Sequence, residues 1–169
     1  MGVTLSGEEI AGFISDHGNA VLTTLRADGR PVPLPVWYVA FEGALYFQTP
    51  PRSKKVGNIE RDPRVAVLLD DGERWEQLRG VLIQGTAERV TDEAVLARVL
   101  TAFDELFADR RTSAARLPSS ATARYSAMAV YRVEVPESPV SWDNRKLRLR
   151  AKAAEASGPA VPDKPVPPA

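Results

Sequence analysis

Thr49 to Val67 reads TPPRSKKVGNIERDPRVAV, and the order of residue types in it decides the fold. A threonine ends one strand, Pro50 and Pro51 turn the chain, Ser53 opens a short basic helix, Asp62-Pro63 breaks it, and Val65 to Leu69 runs on as a wholly apolar strand. Ser53, Lys54 and Lys55 therefore fall in the first turn of a helix, beside backbone N–H groups with no intrahelical partner. Those donors, the positive end of the helix dipole and two ammonium groups suit a phosphate. The same residues also describe an N-cap serine with solvated lysines, and the local pattern leaves both readings open.

Upstream the period is that of strands. Ala44 to Gln48 follows a Phe41-Glu42-Gly43 turn, and Pro31 to Ala40 returns from Ala20 to Leu25 through the hairpin signal Ala27-Asp28-Gly29. Pro31, Pro33 and Pro35 occupy alternate positions, so their missing N–H groups face one way, which requires an unpaired edge there. Such an edge leaves room for a flat ligand beside Trp37 and Tyr38; it equally protects a sheet from aggregation. At the start, Ser6 and Glu9 have capping-box spacing, and Ile10, Phe13 and Ile14 follow at helical intervals to about Asp16, where Gly18 is expected to stop the helix. His17, the sole histidine, falls in the last turn, where helix capping suits it better than metal binding.

Downstream, Asp70 to Gln77 is a polar loop holding Trp75, either a core plug or a lid over a neighbouring site. Leu78 to Val90 is a long strand with Val81, Ile83, Gly85 and Ala87 on one face, the two small residues implying a close neighbour. Thr91 is the expected cap of a helix whose stripe is Leu96, Val99, Leu100, Phe103, Leu106 and Phe107, a core-packing pattern. Arg110 to Ala123 is aperiodic, Ser126 to Val135 is the last main strand, and SWDNRKLRLR follows from Ser141. Residues 1–150 thus form one domain, and 151–169, with five prolines between Pro159 and Pro168, read as a disordered Ala/Pro-rich tail. Six or seven antiparallel strands with peripheral helices imply a small, mostly β barrel, which a dimer with a groove at its seam would complete.

Composition narrows the chemistry. Lys plus Arg equals Asp plus Glu, 22 against 22, which argues against a nucleic-acid or membrane-surface partner, the basic run Arg145, Lys146, Arg148 and Arg150 notwithstanding. There is no cysteine, consistent with a reducing cytoplasm, and the first residues carry adjacent glutamates in place of a basic export signal. With one histidine and no HExxH or paired-carboxylate motif, the residues offer no catalytic constellation and no metal site. Any redox chemistry would come from a cofactor, and a flat ring with a phosphate tail fits the features above.

The run from Gly29 to Val90 carries these features in a fixed order: a Pro-Val-Trp strand, a strand ending in Thr, then S-K-K, N-I-x-R-D-P-R-V and R-G-V-x-I-x-G-x-A. In this it resembles the pyridoxamine-phosphate-oxidase-like flavin and deazaflavin oxidoreductases, and the likeness extends over residues 6–147. The resemblance implies a six-stranded antiparallel split β-barrel and a homodimer with cofactor sites at the interface. It implies that Val32, Pro33, Leu34, Pro35, Val36 and Trp37 lie along the ring, and that Gln48 and Thr49 approach the ring or ribityl chain. Ser53, Lys54 and Lys55 would hold the phosphate, the partner would bring Arg79, Gly80 and Val81, and Trp142 and Arg145 would reach the cofactor from the C-terminal segment. Trp142 closing the barrel and Arg145 in a solvated tail is the other reading.

Two departures separate this chain from the vitamin B6 oxidases it resembles. Proline, valine and aromatic residues stand where those enzymes start the Pro33 to Tyr38 strand with arginine and end it with lysine, and the histidine-containing basic C-terminal segment is missing. The likeness is closer to the branch that uses the deazaflavin coenzyme F420, with FMN as the alternative. The expected activity is hydride transfer to or from a small conjugated organic substrate; a non-catalytic carrier of flavin, F420 or haem is the other expectation.

Overall fold

The computed structural model describes residues 3–110 and 127–147, with 112, 116, 118 and 119 between them. Most of the aperiodic Arg110 to Ala123 stretch and all of the 151–169 tail lie outside the described residues.

Each pattern in the sequence becomes one element. Helix α1 spans Gly7–Asp16, and strands β1 (Asn19–Leu25), β2 (Pro31–Phe41) and β3 (Ala44–Thr49) follow as a meander. Then come helix α2 (Lys54–Arg61), strands β4 (Arg64–Asp71) and β5 (Arg79–Arg89), helix α3 (Glu93–Phe107), and strands β6 (Ala129–Glu134) and β7 (Val140–Asp143). The hairpin between β2 and β3 turns through Glu42 and Gly43, both at positive φ (50° and 72°), the conformation that matches the twist of two tightly joined strands.

All strand pairs are antiparallel in the order β4-β1-β2-β3-β6-β5-β7, and β4 also pairs with β5. That extra pairing closes six strands into a barrel, with β7 added along β5. Closure removes most free edges, and the prolines mark where one remains. Pro31, Pro33 and Pro35 face Leu25, Thr23 and Val21 of β1, whereas β3 joins β2 only from Tyr38 onward. The outer edge of β2 before Tyr38 is thus unpaired among the described residues.

Two apolar clusters account for the burial pattern. The barrel interior holds Leu22, Tyr38, Phe47, Leu69, Ile83 and Val133 among others, while α3 covers an outer cluster with Val39, Tyr46, Val99, Phe103 and Phe107. Strand β3 is buried on both faces for that reason: Leu45 and Phe47 point inward, Ala44 and Tyr46 toward α3. Ser6 and Glu9 form the expected capping box on α1.

Four expectations need correction. Asp92, not Thr91, caps α3, its carboxylate accepting from the Val95 N–H at 2.9 Å. Leu100 and Leu106 fall off the α3 stripe and are 45% and 47% exposed, because the buried seam is the narrower Val99, Phe103, Phe107 row. Gly18 is no left-handed helix stop: α1 ends at His17 in extended conformation. Its small size matters instead, since a Cβ there would lie 3.0 Å from the Phe107 ring. Trp75 is no core plug; it is 59% exposed on a short helical turn.

Candidate functional site

Helix α2 is fixed by its second half. Asn58 donates from Nδ2 to the buried Thr24 hydroxyl at 3.0 Å, and the Arg61 guanidinium donates to the Leu25 carbonyl, tying the helix to β1. Val56 and Ile59 bury the underside. With that end pinned, the N terminus of α2 is aimed back toward the end of β3. There Ser53 is the N-cap, its Oγ accepting from the Val56 N–H at 3.4 Å and lying 3.1 Å from Thr49 Oγ1.

In front of this turn lies a cleft of about 840 Å³, within the size range of small-molecule sites. Pro35, Val36 and Trp37 of the free β2 edge form one wall, with Asn19 beside them. Gln48, Thr49 and Pro50 carry the wall to α2, which contributes Lys55. Phe103, Arg110, Thr112 and Met128 complete the lining among the described residues. Trp37 is stacked on Phe107 with ring centroids 4.6 Å apart and planes 5° from parallel, so the indole is held as a rigid platform while remaining 38% exposed.

The charges of the cleft are unusual for this molecule. Lys55 is half-buried, and desolvation pulls its ammonium below the ordinary lysine value of 10.5. No carboxylate stands among the described lining residues to offset it. Lys54, one residue earlier, is exposed and is not part of the wall.

The structure therefore brings together Pro35, Val36, Trp37, Gln48, Thr49 and Lys55, with Ser53 capping the helix at the rim. Val32, Pro33 and Leu34 continue the same edge beyond it. Arg79, Gly80, Val81, Trp142 and Arg145 lie elsewhere in this chain, at the β5–β7 seam. Trp142 lies so close over Gly80 that a Cβ there would sit 2.5 Å from its ring, and Val81 is wholly buried. Arg145 clamps the buried Asp143 carboxylate at 2.6 Å, and that bond holds the carboxyl below its usual range. His17 caps α1 as expected, its Nδ1 lying 2.6 Å from the Phe13 carbonyl oxygen.

Residue patterns did not point to Asn19, Pro50, Phe103, Arg110, Thr112 or Met128. Asn19 enters because the β1–β2 register sets it opposite Trp37. Phe103 is wholly buried in a core stripe and also borders the cleft, a double role that periodicity does not reveal. Among the described residues no His, Cys, Asp or Glu cluster could hold a metal, and no helix is long and apolar enough to cross a membrane.

Comparison with solved structures shows the same architecture in other proteins. A conserved hypothetical protein of Mycobacterium tuberculosis is 31% identical, with TM-score 0.72, covering 92% of this chain and 95% of that one. A FAD-binding protein of Mesorhizobium loti shares the fold at 18% identity and TM-score 0.60, covering 78% of this chain and 89% of its own. The haem storage protein HutZ of Vibrio cholerae does so at 15% identity and TM-score 0.63, covering 84% and 96%. No curated protein matches the chain. The same barrel thus occurs in a protein described as FAD-binding and in one described as a haem storage protein. The family model described as pyridoxamine 5'-phosphate oxidase matches residues 6–157, which include every strand of the barrel, and the chain belongs to that family.

Proposed function

We propose that this protein is an oxidoreductase that binds coenzyme F420, or alternatively FMN, in the cleft between the β2 edge and α2. The observation that carries the proposal is Lys55: a half-buried cation without a carboxylate beside it, at a helix N terminus, facing a cleft with an aromatic platform. Leaving such a charge uncompensated is costly, and a phosphate would offset it. The N–H groups of the first α2 turn add donors of the right sign.

The residues fit the group. Lys55, with Ser53 and Thr49 close by, would hold the phosphate; Gln48 would approach the ring or ribityl chain; Pro35, Val36 and Trp37 would line the ring. The bound cofactor would supply hydride transfer to or from a small conjugated organic substrate. The protein's own part is to orient the ring against Trp37 and the proline-bearing strand and to keep water from it. Lys54 remains in solvent, so one lysine carries most of the phosphate charge, and the absence of an arginine early in the Pro33 to Tyr38 strand favours the deazaflavin over FMN.

The free β2 edge, with Leu34 exposed beside Pro33 and Pro35, supports a homodimer whose second copy covers the open side of the cleft. The setting would be the cytoplasm, in keeping with a cysteine-free chain. A haem carrier finds less support, since the sole histidine is engaged at the end of α1 and does not line the cleft.

Titration of the apo protein with FMN and F420 side by side tests the reading. Saturable binding of F420, weaker binding of FMN, and turnover of reduced F420 with a conjugated acceptor are expected. Binding of neither cofactor would overturn it.

A further inference from the structure

Among the described residues two cations line the cleft, Lys55 from the start of α2 and Arg110 from the turn after α3. A phosphate on Lys55 leaves the second unexplained. Elsewhere arginines sit against acids: Arg64 on Asp62, Arg79 on Asp71, Arg145 on Asp143. The Arg110 guanidinium instead lies over the Phe107 ring, 5.8 Å from its centroid, in a cleft wall without a carboxylate.

Its seat is built. Phe107 is the ring on which Trp37 stacks, so Arg110 borders the aromatic platform. Gly18 makes the room: a Cβ there would stand 3.0 Å from Phe107 Cζ and 3.8 Å from Arg110 Nη1. A guanidinium resting on an aromatic face keeps its N–H fork free, and that fork matches a carboxylate in two parallel bonds. With no acid among the described lining residues, a substrate carrying an ammonium group would meet two like charges.

We propose that Arg110 is a specificity-determining residue that binds the carboxylate of a planar, conjugated substrate lying beside Trp37. The assignment rests on the cofactor reading above. It narrows the substrate class to conjugated carboxylates and gives Lys55 and Arg110 separate tasks, cofactor phosphate and substrate anion.

Cinnamate and its uncharged counterpart cinnamamide form the test pair, titrated by calorimetry into the wild-type chain, Arg110→Gln and Arg110→Lys, each with and without bound FMN or F420. Wild type is expected to favour cinnamate about tenfold, the factor a charge-assisted bond commonly confers. Arg110→Gln should bind both equally with unchanged cofactor affinity and melting temperature, and Arg110→Lys should recover part of the preference. No preference in wild type, no binding of either compound, or a preference that survives Arg110→Gln would overturn the assignment. So would a loss of cofactor affinity in Arg110→Gln, since the cation would then belong to the cofactor. If neither cofactor binds at all, the functional reading fails by itself, and the cofactor-free titration still judges Arg110 by the same outcomes.

Discussion

The cleft and the β5–β7 seam each combine a tryptophan with a cation, yet they are opposites. At the seam Trp142 is pressed onto Gly80, Arg145 is clamped to Asp143, and Lys146 reaches the Glu9 carboxylate and the Thr4 carbonyl. The Val3 carbonyl accepts from the Asp143 N–H, and the Ser141 hydroxyl accepts from the Leu5 N–H, so the segment seals the chain's two described ends together. In the cleft Trp37 keeps part of its surface open, and no acid lines the wall beside Lys55 and Arg110. A paired, packed charge is spent on the fold, whereas the half-buried Lys55 and the exposed Arg110, with no carboxylate among the described lining residues, are held for something else.

The largest test of this contrast is Phe107→Ala. Phe107 is wholly buried and supports Trp37, so its truncation should cost about 3–5 kcal/mol of stability by chemical denaturation and abolish cofactor binding as the platform collapses. Next come two substitutions with opposite signatures. Arg145→Ala strips the guanidinium from a buried carboxylate and should lower stability by about 1–3 kcal/mol with cofactor affinity intact. Lys55→Met should leave the melting temperature of the ligand-free protein equal or higher, because it removes a desolvated cation, and weaken cofactor binding by about 1–3 kcal/mol. If Arg145→Ala impairs binding as much as Lys55→Met does, the division between the two regions fails.

Ser53→Ala should cost about 1 kcal/mol of stability, the loss of an N-cap. The smallest effect is on pH. Burial lowers the Lys55 value in the free protein, and an anion bound beside the ammonium would raise it again, so binding of a phosphate takes up or retains a proton. Affinity should therefore be greatest below the depressed value and decline as pH rises through it toward 10.5, the ordinary lysine value. Dissociation constants measured from neutrality upward should show this decline in wild type and lose it in Lys55→Met.

The sequence was most legible where a signal is local. The Ser6 and Glu9 capping box, the Ser53 turn, the Asp62-Pro63 break and the alternating prolines each concern neighbours within a few residues, and the elements they mark are all present. Barrel closure was legible through the number and spacing of strands. Thr91 and Asp92 could not be told apart as caps because both residue types serve, and helix entry is settled by how α3 docks.

What the residues determined by themselves was thus the three helices and the first six strands, their order, the proline-blunted edge and a cationic helix start capable of meeting a phosphate, whereas β7 came from the pairing of Val140–Asp143 with β5. Only the tertiary structure decided which lysine meets the cleft. Lys54 and Lys55 are neighbours in sequence, but successive helical residues point about a quarter-turn apart, so one faces solvent and the other the wall. It alone also brought Gly18 and the Phe107 to Arg110 stretch at the end of α3, far apart in the chain, together around Trp37. Whether a charge is neutralised depends on what folding places next to it, and that cannot be read from the run of residues in which the charge occurs.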